Sequence, residues 1–203
     1  MQKQITIIDY KCGNLKSVEN AVKFVGAIPI IATSPDEILR SEKILLPGVG
    51  SFPAGMAKLS EMGLVKAIIK KAAEQTPLLG ICLGMQLLFE HSEEHGGASG
   101  LGLMKGKVVR MTSQSQTVKL PHVGWNCIQP HKNSLVFGNA GYCYFVHSYK
   151  AVPDNPEDCV AFGQYEDIKF PAAVQCGNIY GSQFHPENSG QLGLDMLNQF
   201  SLL

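Results

Sequence analysis

Short apolar runs alternate with helix-like patterns through the first half of the chain, and this alternation constrains the fold more than any other feature. Buried strands are predicted at four apolar runs, 5–9, 28–32, 44–46 and 77–81. Helical spacing of apolar residues covers 14–26 and 55–74. Strands that alternate with helices form parallel sheets covered on both faces. We therefore predict an α/β fold with a doubly wound, mostly parallel sheet and helices on both faces.

The second half of the chain has a different pattern. Strands are predicted there with few helices between them, at 107–111, 142–148, 160–165, 172–176 and 178–184. Antiparallel strands added to the parallel core would explain this change. The chain of 203 residues shows no internal repeat or linker, and this length suits one hydrophobic core. We predict a single domain over residues 1–203.

Charge and cysteine usage narrow the class of protein. The 17 basic and 17 acidic residues cancel, and no block of like charge occurs, which argues against nucleic acid or an anionic membrane as a partner. The first residues lack the pattern of a signal peptide, and no segment has the length of a membrane span. The six cysteines form no CxxC pair, as expected of buried thiols in a reducing compartment. We predict a cytoplasmic protein.

Residues 78–86 carry the strongest chemical signal, with the sequence LLGICLGMQ. An apolar strand breaks at Gly80 and restarts as a helix near Gly84, which is the pattern of a nucleophile elbow. Such a turn would hold Cys82 above the sheet, where a helix N-terminus and a nearby imidazole favour the thiolate. The alternative is a tight turn around a buried, inert cysteine.

Residues 183–187 read QFHPE and supply an imidazole and a carboxylate two positions apart. On an extended segment such residues point the same way, so Glu187 could orient His185 as the base behind Cys82. A surface turn containing proline would look the same. The two motifs together favour a Cys82, His185 and Glu187 triad that attacks an amide or ester.

An oxyanion hole would complete this chemistry. Its donors are predicted to be the backbone N–H of Leu83 and the glycine-rich turn 47–51, which follows another strand of the sheet. His122 adjoins a proline in a predicted loop, and His147 fits a core or strand-edge position. The histidines show no metal-ligand spacing, so we predict no metal site and no cofactor.

These motifs resemble those of the class I, triad-type glutamine amidotransferases. Within that group, four further segments resemble the glutaminase subunits of imidazole glycerol phosphate synthases: 46–52, 121–126, 144–149 and 177–181. The similarity extends from Asp9 to the last residues. It implies hydrolysis of glutamine to glutamate and ammonia, and transfer of the ammonia to a separate cyclase subunit of histidine biosynthesis in a heterodimer.

The resemblance also implies roles for individual residues. Cys82 matches the nucleophile, His185 the base and Glu187 its orienter. Four residues match positions that hold the substrate glutamine, and they are Gln86, Glu94, Ser148 and Tyr149. Val49 and Leu83 match the residues that form the oxyanion hole. The peptide at Val49 resembles a switch that must reorient before the hole is complete.

The face that meets the cyclase matches the turn at Asn14, together with Trp125 and Tyr144. The chain departs from the family at Asn188, where relatives commonly have a lysine that resembles an interfacial ion-pair partner. This departure admits a second interpretation, a paralogous glutaminase that supplies ammonia to another synthase, such as a sugar-aminating enzyme. Two further alternatives are a non-catalytic interaction subunit and a stand-alone hydrolase of γ-glutamyl compounds.

Overall fold

The computed structural model describes residues 3–115 and 118–203, in which it places thirteen strands and six helices. The strands are β1 (Gln4–Ile8), β2 (Ile28–Ala32), β3 (Ile44–Leu46), β4 (Leu78–Ile81), β5 (Phe89–Ser92), β6 (Ala98–Ser99), β7 (Met104–Arg110), β8 (His122–Pro130), β9 (Gly141–His147), β10 (Tyr149–Pro153), β11 (Cys159–Tyr165), β12 (Ile168–Cys176) and β13 (Ile179–Ser182). The helices are α1 (Leu15–Phe24), α2 (Pro35–Leu39), α3 (Phe52–Glu61), α4 (Val65–Ala73), α5 (Leu83–Leu87) and α6 (Gly190–Leu202). The single domain over 1–203 stays a prediction, and residues 1, 2, 116 and 117 of that span lie outside the described part.

Nine strands form one large sheet in the order β2-β1-β3-β4-β13-β12-β11-β8-β9. The first five strands in that order pair in parallel. The remaining pairings are antiparallel and use strands from the second half of the chain. The predicted α/β sheet with added antiparallel strands is therefore confirmed. Because β13 lies beside β4, Ser182 is paired with Ile81 and the two predicted catalytic segments leave the sheet as neighbours.

Helices cover both faces of this sheet, as the sequence predicted. In β3, Leu45 belongs to one buried cluster while Ile44 and Leu46 belong to the other, as expected from side chains that alternate across a strand. The first cluster includes α1 and α6, and the second includes α2, α3, α4 and α5. The sheet therefore has a hydrophobic core on each side. Among the described residues, no helix combines the length and the apolar character needed to cross a membrane.

The single helix predicted over 55–74 is wrong, because this segment forms two helices, α3 and α4. Gly63 adopts a φ of 69° between them, a left-handed conformation that ends a helix. The N–H of Gly63 donates to Ser60 at 3.0 Å, and the N–H of Leu64 donates to Leu59 at 2.9 Å. The apolar spacing continues across this break, so periodicity alone did not reveal it.

A second, four-stranded sheet was not predicted. It has the order β10-β7-β5-β6, so the strand predicted at 107–111 belongs to this sheet and not to the large one. Helix α6 was also missed. It begins at Gly190 with a φ of 58°, contains Gly193 and has no acidic residue in its first turn, so Ser189 at the N-cap position is its main start signal in the sequence.

Candidate active site

Cys82 lies in the turn between β4 and α5, as the elbow pattern predicted. Its backbone has a φ of 53° and a ψ of −108°, a conformation that costs a residue with a side chain about 1–3 kcal/mol. The N–H of Cys82 donates to the carbonyl oxygen of Ser182 at 2.7 Å, which ties the turn to β13. The surrounding fold therefore holds this cysteine in a strained conformation.

The two glycines of the motif permit the close approach of β4, α5 and β3. A Cβ at Gly80 would lie 2.6 Å from the carbonyl carbon of Gly84. A Cβ at Gly84 would lie 1.7 Å from the carbonyl oxygen of Leu46, in β3. Since these neighbours are backbone atoms, no side-chain rotation could relieve either contact. The spacing of glycines around Cys82 is thus a packing requirement.

His185 and Glu187 meet, although not on an extended segment as predicted. Residues Pro186–Asn188 form a 3-10 turn, and His185 precedes its first residue. This turn brings Nδ1 of His185 within 2.8 Å of Oε1 of Glu187, with both side chains almost fully buried. The backbone of His185 is fixed because its N–H donates to Tyr144 at 2.9 Å and its carbonyl oxygen accepts from Oγ of Ser189 at 2.6 Å.

The electrostatics of this pair favour a charged imidazole. Burial opposes the charge, but the interactions with Cys82 and Glu187 outweigh burial and raise the pKa of His185 to about 10. His185 is therefore protonated at neutral pH. Within the described residues, its Nε2 atom is buried and makes no hydrogen bond, so it remains available to a reacting group.

Seven of the predicted site residues line one cavity of about 280 Å³, and they are Val49, Cys82, Leu83, Gln86, Glu94, Ser148 and Tyr149. An adjoining cavity of about 170 Å³ is lined by five more of them, Asn14, Tyr144, His185, Glu187 and Asn188. Val49 and Val146 line both cavities. Trp125 lines neither of the two. It is paired with Tyr144 across β8 and β9, and 55% of its surface is exposed.

The predicted oxyanion donors are not both free. The N–H of Leu83 donates to the carbonyl oxygen of Gly48 at 3.3 Å, so the loop at 47–50 occupies it. Val49, the next residue of this loop, is 45% exposed. Below the loop, the hydroxyl of Tyr10 is buried and has no hydrogen-bond partner in the described part of the chain. A Cβ at Gly48 would lie 2.1 Å from this hydroxyl.

Two of the predicted substrate-binding side chains are held by hydrogen bonds. Nε2 of Gln86 donates to the carbonyl oxygen of Tyr149 at 3.1 Å and to Oε1 of Gln183 at 3.0 Å. Oε2 of Glu94 accepts from the N–H of Phe52 at 2.6 Å, at the start of α3. These contacts fix both side chains at the wall of the larger cavity before any ligand is present.

Three buried residues at or beside this cavity were not assigned to the site from the sequence, namely Gln183, His122 and His147, the last of which lines the cavity. Gln183 contacts Gln86, and its position two residues before His185 was a signal that could have identified it. The loop assignment of His122 is wrong, because this residue begins β8 and is buried. Its neighbour Pro121 suggested a loop, but a proline is also accepted just before a strand. His147, for which a core or strand-edge position was expected, is buried at the end of β9.

Burial makes both of these histidines neutral. Desolvation lowers the pKa of His122 to about 4. Desolvation, the largest effect at His147 as well, lowers the pKa of that residue to about 3. The site therefore combines one charged imidazole, at His185, with two neutral ones.

Comparison with known proteins shows which family the chain resembles over its length. A family model for glutamine amidotransferase class-I matches residues 6–202. The imidazole glycerol phosphate synthase subunit HisH of Bacillus licheniformis is 46% identical over 201 residues, which cover 97% of this chain and 94% of the relative. The protein of the same name from Geobacillus thermodenitrificans is 45% identical, with the same coverage.

Solved structures show the same fold. A crystal structure of a glutamine amidotransferase superposes with a TM-score of 0.76 at 17% identity, covering 98% of this chain and 99% of the other. The structure of PurLQS from Thermotoga maritima gives a TM-score of 0.74 at 20% identity, with coverage of 100% and 98%. At these identities the likeness concerns the fold alone.

Proposed function

The chain belongs to the class-I glutamine amidotransferase family, and we propose that it is the glutaminase subunit of an imidazole glycerol phosphate synthase. It hydrolyses glutamine to glutamate and ammonia and passes the ammonia to a cyclase subunit in histidine biosynthesis. One observation carries the proposal: Cys82 stands in a strained elbow at a cavity, and it interacts with His185 of the buried His185–Glu187 pair. The relatives that share nearly the full length support the choice of synthase.

In the proposed reaction, the sulfur of Cys82 attacks the side-chain amide carbon of glutamine. The C–N bond then breaks, and the imidazolium of His185 gives its proton to the departing nitrogen, which leaves as ammonia. The product is a thioester between Cys82 and the glutamyl group. Water then attacks this thioester while His185 takes its proton, and the C–S bond breaks to release glutamate. The raised pKa of His185 suits the first step, in which it acts as an acid.

Glu187 orients the imidazole in this scheme. Its Oε1 accepts from Nδ1 of His185 at 2.8 Å, which directs Nε2 toward the reacting atoms. Its negative charge also stabilises the imidazolium in a site from which water is largely excluded. The carboxylate need not accept the proton itself.

The N–H groups of Leu83 and Val49 serve as the oxyanion hole in this proposal. The bond from Leu83 to Gly48 must break first, because one N–H cannot serve both the loop carbonyl and the developing negative charge. Reorientation of the peptide between Gly48 and Val49 would release it. A loop that stays closed until the partner binds its ligand would suppress the loss of uncoupled ammonia.

Four residues are proposed to bind the substrate: Gln86, Glu94, Ser148 and Tyr149. The first two present amide and carboxylate groups that are already held in place. The last two lie where the chain crosses from β9 to β10 and present backbone groups to the same cavity. A cavity with polar groups on two walls suits a small zwitterionic amino acid such as glutamine.

The cyclase is proposed to bind as a heterodimeric partner on the face formed by Asn14, Trp125, Tyr144 and Asn188. Exposed apolar side chains support this choice, because Trp125, Val123 and Val146 lie close together on β8 and β9 beside the site. Ammonia released at Cys82 would leave through this face. The cytoplasm, where histidine is made from soluble precursors, is the proposed location.

Asn188 supports a second candidate, a glutaminase that serves a different ammonia-using synthase. This residue is exposed at the proposed interface, at the position where the family resemblance implies a lysine. A changed ion pair at this point would alter the choice of partner and leave the triad intact.

Glutamate release distinguishes these candidates. The purified chain is assayed with glutamine alone and again with the imidazole glycerol phosphate cyclase of the same organism and its nucleotide ligand. Strong stimulation by cyclase and ligand together is expected. Glutaminase activity that the cyclase does not change would favour the second candidate, and the absence of activity in both assays would contradict glutaminase function.

A further inference from the structure

Two buried histidines that take no part in the proposed reaction lie next to a backbone group of the substrate cavity. Nδ1 of His122 lies 3.2 Å from Nε2 of His147. Nδ1 of His147 lies 2.9 Å from the carbonyl oxygen of Tyr149. Tyr149 lines the cavity, and it is the first residue of β10, where the chain passes from the large sheet to the small one.

The hydrogen bonds continue from Tyr149 to the nucleophile. Its carbonyl oxygen also accepts from Nε2 of Gln86 at 3.1 Å. The same nitrogen donates to Oε1 of Gln183 at 3.0 Å. Nε2 of Gln183 then lies 3.9 Å from Sγ of Cys82. One backbone carbonyl thus joins the histidine pair to the side chains around the reacting sulfur.

The Tyr149 carbonyl sets the direction of every bond in this network, because a carbonyl oxygen can only accept. Nδ1 of His147 must therefore carry a hydrogen, and since the ring is neutral, its Nε2 must accept. Nδ1 of His122 must then carry the hydrogen between the two rings. Both histidines are fixed as the tautomer protonated at Nδ1.

The direction of the hydrogen bonds also fixes the orientation of the Gln86 amide. Both hydrogens of its Nε2 are engaged, one by Tyr149 and one by Gln183. Its Oε1 accepts no hydrogen bond among the described residues, and the residue lines the cavity together with Glu94. The cavity wall therefore presents hydrogen-bond acceptors, and such a wall favours a ligand that donates.

The surroundings of the histidines keep this arrangement in place. The ring of His122 is stacked between Tyr165, at 4.2 Å between centroids, and Phe145, at 5.1 Å. The ring of His147 packs edge-on against Phe170 at 4.9 Å. Rings enclosed by aromatic side chains cannot rotate freely or take up water, so the network has one stable arrangement.

We propose that His122 and His147 are positioning residues that fix the Tyr149 carbonyl and, through it, the amide orientation of Gln86 for glutamine binding. This inference depends on the proposed function for the identity of the ligand. Without the donor from His147, the Tyr149 carbonyl loses one of its two partners and can shift, and the Gln86 amide that donates to it shifts with it. The Gln86 acceptor would then lie away from the position where the donor groups of glutamine need it.

Nitrogen NMR of the histidine rings tests the network directly. At pH 7 the spectra of the intact chain should show His122 and His147 neutral and protonated at Nδ1. Assignment of either ring to the tautomer protonated at Nε2 would overturn the proposal, since the donor to Tyr149 or to His147 would then be missing.

Glutamine affinity tests the functional part. It is measured by calorimetry on the Cys82→Ala chain, alone and in complex with the cyclase and its ligand, so that no turnover interferes. His147→Phe removes the donor to Tyr149 and should weaken binding about tenfold, the usual effect of one lost hydrogen bond. His147→Asn places an amide N–H near the position of Nδ1 and should bind within about threefold of the parent chain.

His122→Phe keeps the stack with Tyr165 and Phe145 but removes the donor to His147, so it provides a test even if His147→Phe does not fold. Its expected loss of affinity lies between those of the two His147 variants. Three results would each overturn the proposal. The first is an equal loss of glutamine affinity in His147→Phe and His147→Asn, and the second is an unchanged affinity in both phenylalanine variants. The third is no measurable glutamine binding by the Cys82→Ala chain. Failure of the parent chain to release glutamate would instead overturn the proposed function, while the affinities still decide this inference.

Discussion

The elbow around Cys82 and the loop at 47–50 face the same cavity but are built in opposite ways. In the elbow, backbone contacts at Gly80 and Gly84 leave no room for movement, and Cys82 is held at a strained φ. In the loop, Val49 is exposed and a Cβ added at Gly50 would have no neighbour within 4 Å. In the proposed mechanism this difference means that the nucleophile is prepared in advance, whereas the stabilisation of negative charge requires a movement.

This division has a chemical consequence. In the proposed mechanism the Cys82 sulfur can be held in place at little risk, because attack on an amide is slow until the developing oxyanion is stabilised. The N–H of Leu83, which the proposed mechanism assigns to the oxyanion hole, is bonded to Gly48 instead. Under that mechanism, control of ammonia release requires movement of only one peptide group.

The largest expected effect comes from removal of the nucleophile. Cys82→Ala should lower glutamate release by about 10⁴-fold or more, because the thioester cannot form. The change removes little volume, so the circular dichroism spectrum and the association with the cyclase should persist. Cys176→Ala, at an exposed cysteine outside the site, is the matched control and should remain active. Retained activity in Cys82→Ala would contradict the triad.

The rigidity of the elbow can be tested by adding one methyl group. Gly84→Ala places its Cβ against the carbonyl oxygen of Leu46, and the free energy of unfolding should fall by about 3 kcal/mol or more. Gly50→Ala is the counterpart in the loop, where no atom lies within 4 Å but φ is 114°, and it should cost only about 1 kcal/mol. Chemical denaturation measures both. Equal losses would remove the distinction between the two regions.

Acid should lower the free energy of unfolding because His122 and His147 are buried as neutral rings. Their pKa values are about 4 and about 3 in the folded chain, so between pH 6.5 and pH 4 the unfolded chain binds protons that the folded chain does not. The free energy of unfolding should therefore fall as the pH falls, by about 2.5 to 3 kcal/mol for each of the two histidines over this range. His185, whose pKa is raised, is protonated in both states below pH 6.5 and contributes no slope there.

Denaturation of the parent chain and of His122→Phe across this range checks the effect. The variant lacks one of the two titrating rings, so its stability should depend less steeply on pH. An equal slope in both proteins would show that His122 is not a buried neutral group.

The smallest expected effect comes from the contact between Gly48 and the Tyr10 hydroxyl beneath the loop. Gly48→Ala brings a Cβ within 2.1 Å of the Tyr10 hydroxyl and should lower cyclase-stimulated glutamate release about tenfold. Tyr10→Phe removes that hydroxyl and leaves a ring carbon at 3.3 Å, so the double variant should recover part of the loss. Rates of the parent chain, the two single variants and the double variant form a complete cycle. Additive losses would show that Tyr10 does not limit the loop.

The parallel half of the fold could be predicted from the sequence because its strands are short apolar runs, which are buried on both faces except in the edge strand β2, where Ile28 and Ile30 are exposed. Strands β2 and β3 begin and end at the predicted residues. The elbow was also predictable, since Gly80, Cys82 and Gly84 meet a local steric requirement. The assignment of site residues by resemblance brought together positions as distant as Gln86 and Tyr149, which share one cavity.

The features that the sequence did not predict depend on the conformation of a single residue or on contacts between distant segments. Gly63 ends a helix in the middle of an uninterrupted apolar pattern, and only its left-handed conformation marks the break. His122 forms its stack with Tyr165 only once β8 and β11 lie in the same sheet. The bond from Leu83 to Gly48 joins two turns at the ends of different strands, and no local sequence pattern encodes it.

Comparison of alkylation and turnover tests the central claim most directly. The isolated chain is treated with a glutamine analogue that alkylates thiols, and its glutamate release is measured in parallel, without and with cyclase and ligand. A prepared nucleophile and a closed oxyanion hole predict rapid labelling of Cys82 in the isolated chain, slow glutamate release, and a stimulation that raises release far more than labelling. Slow labelling of the isolated chain, rising in proportion to glutamate release when the partner is added, would contradict the claim.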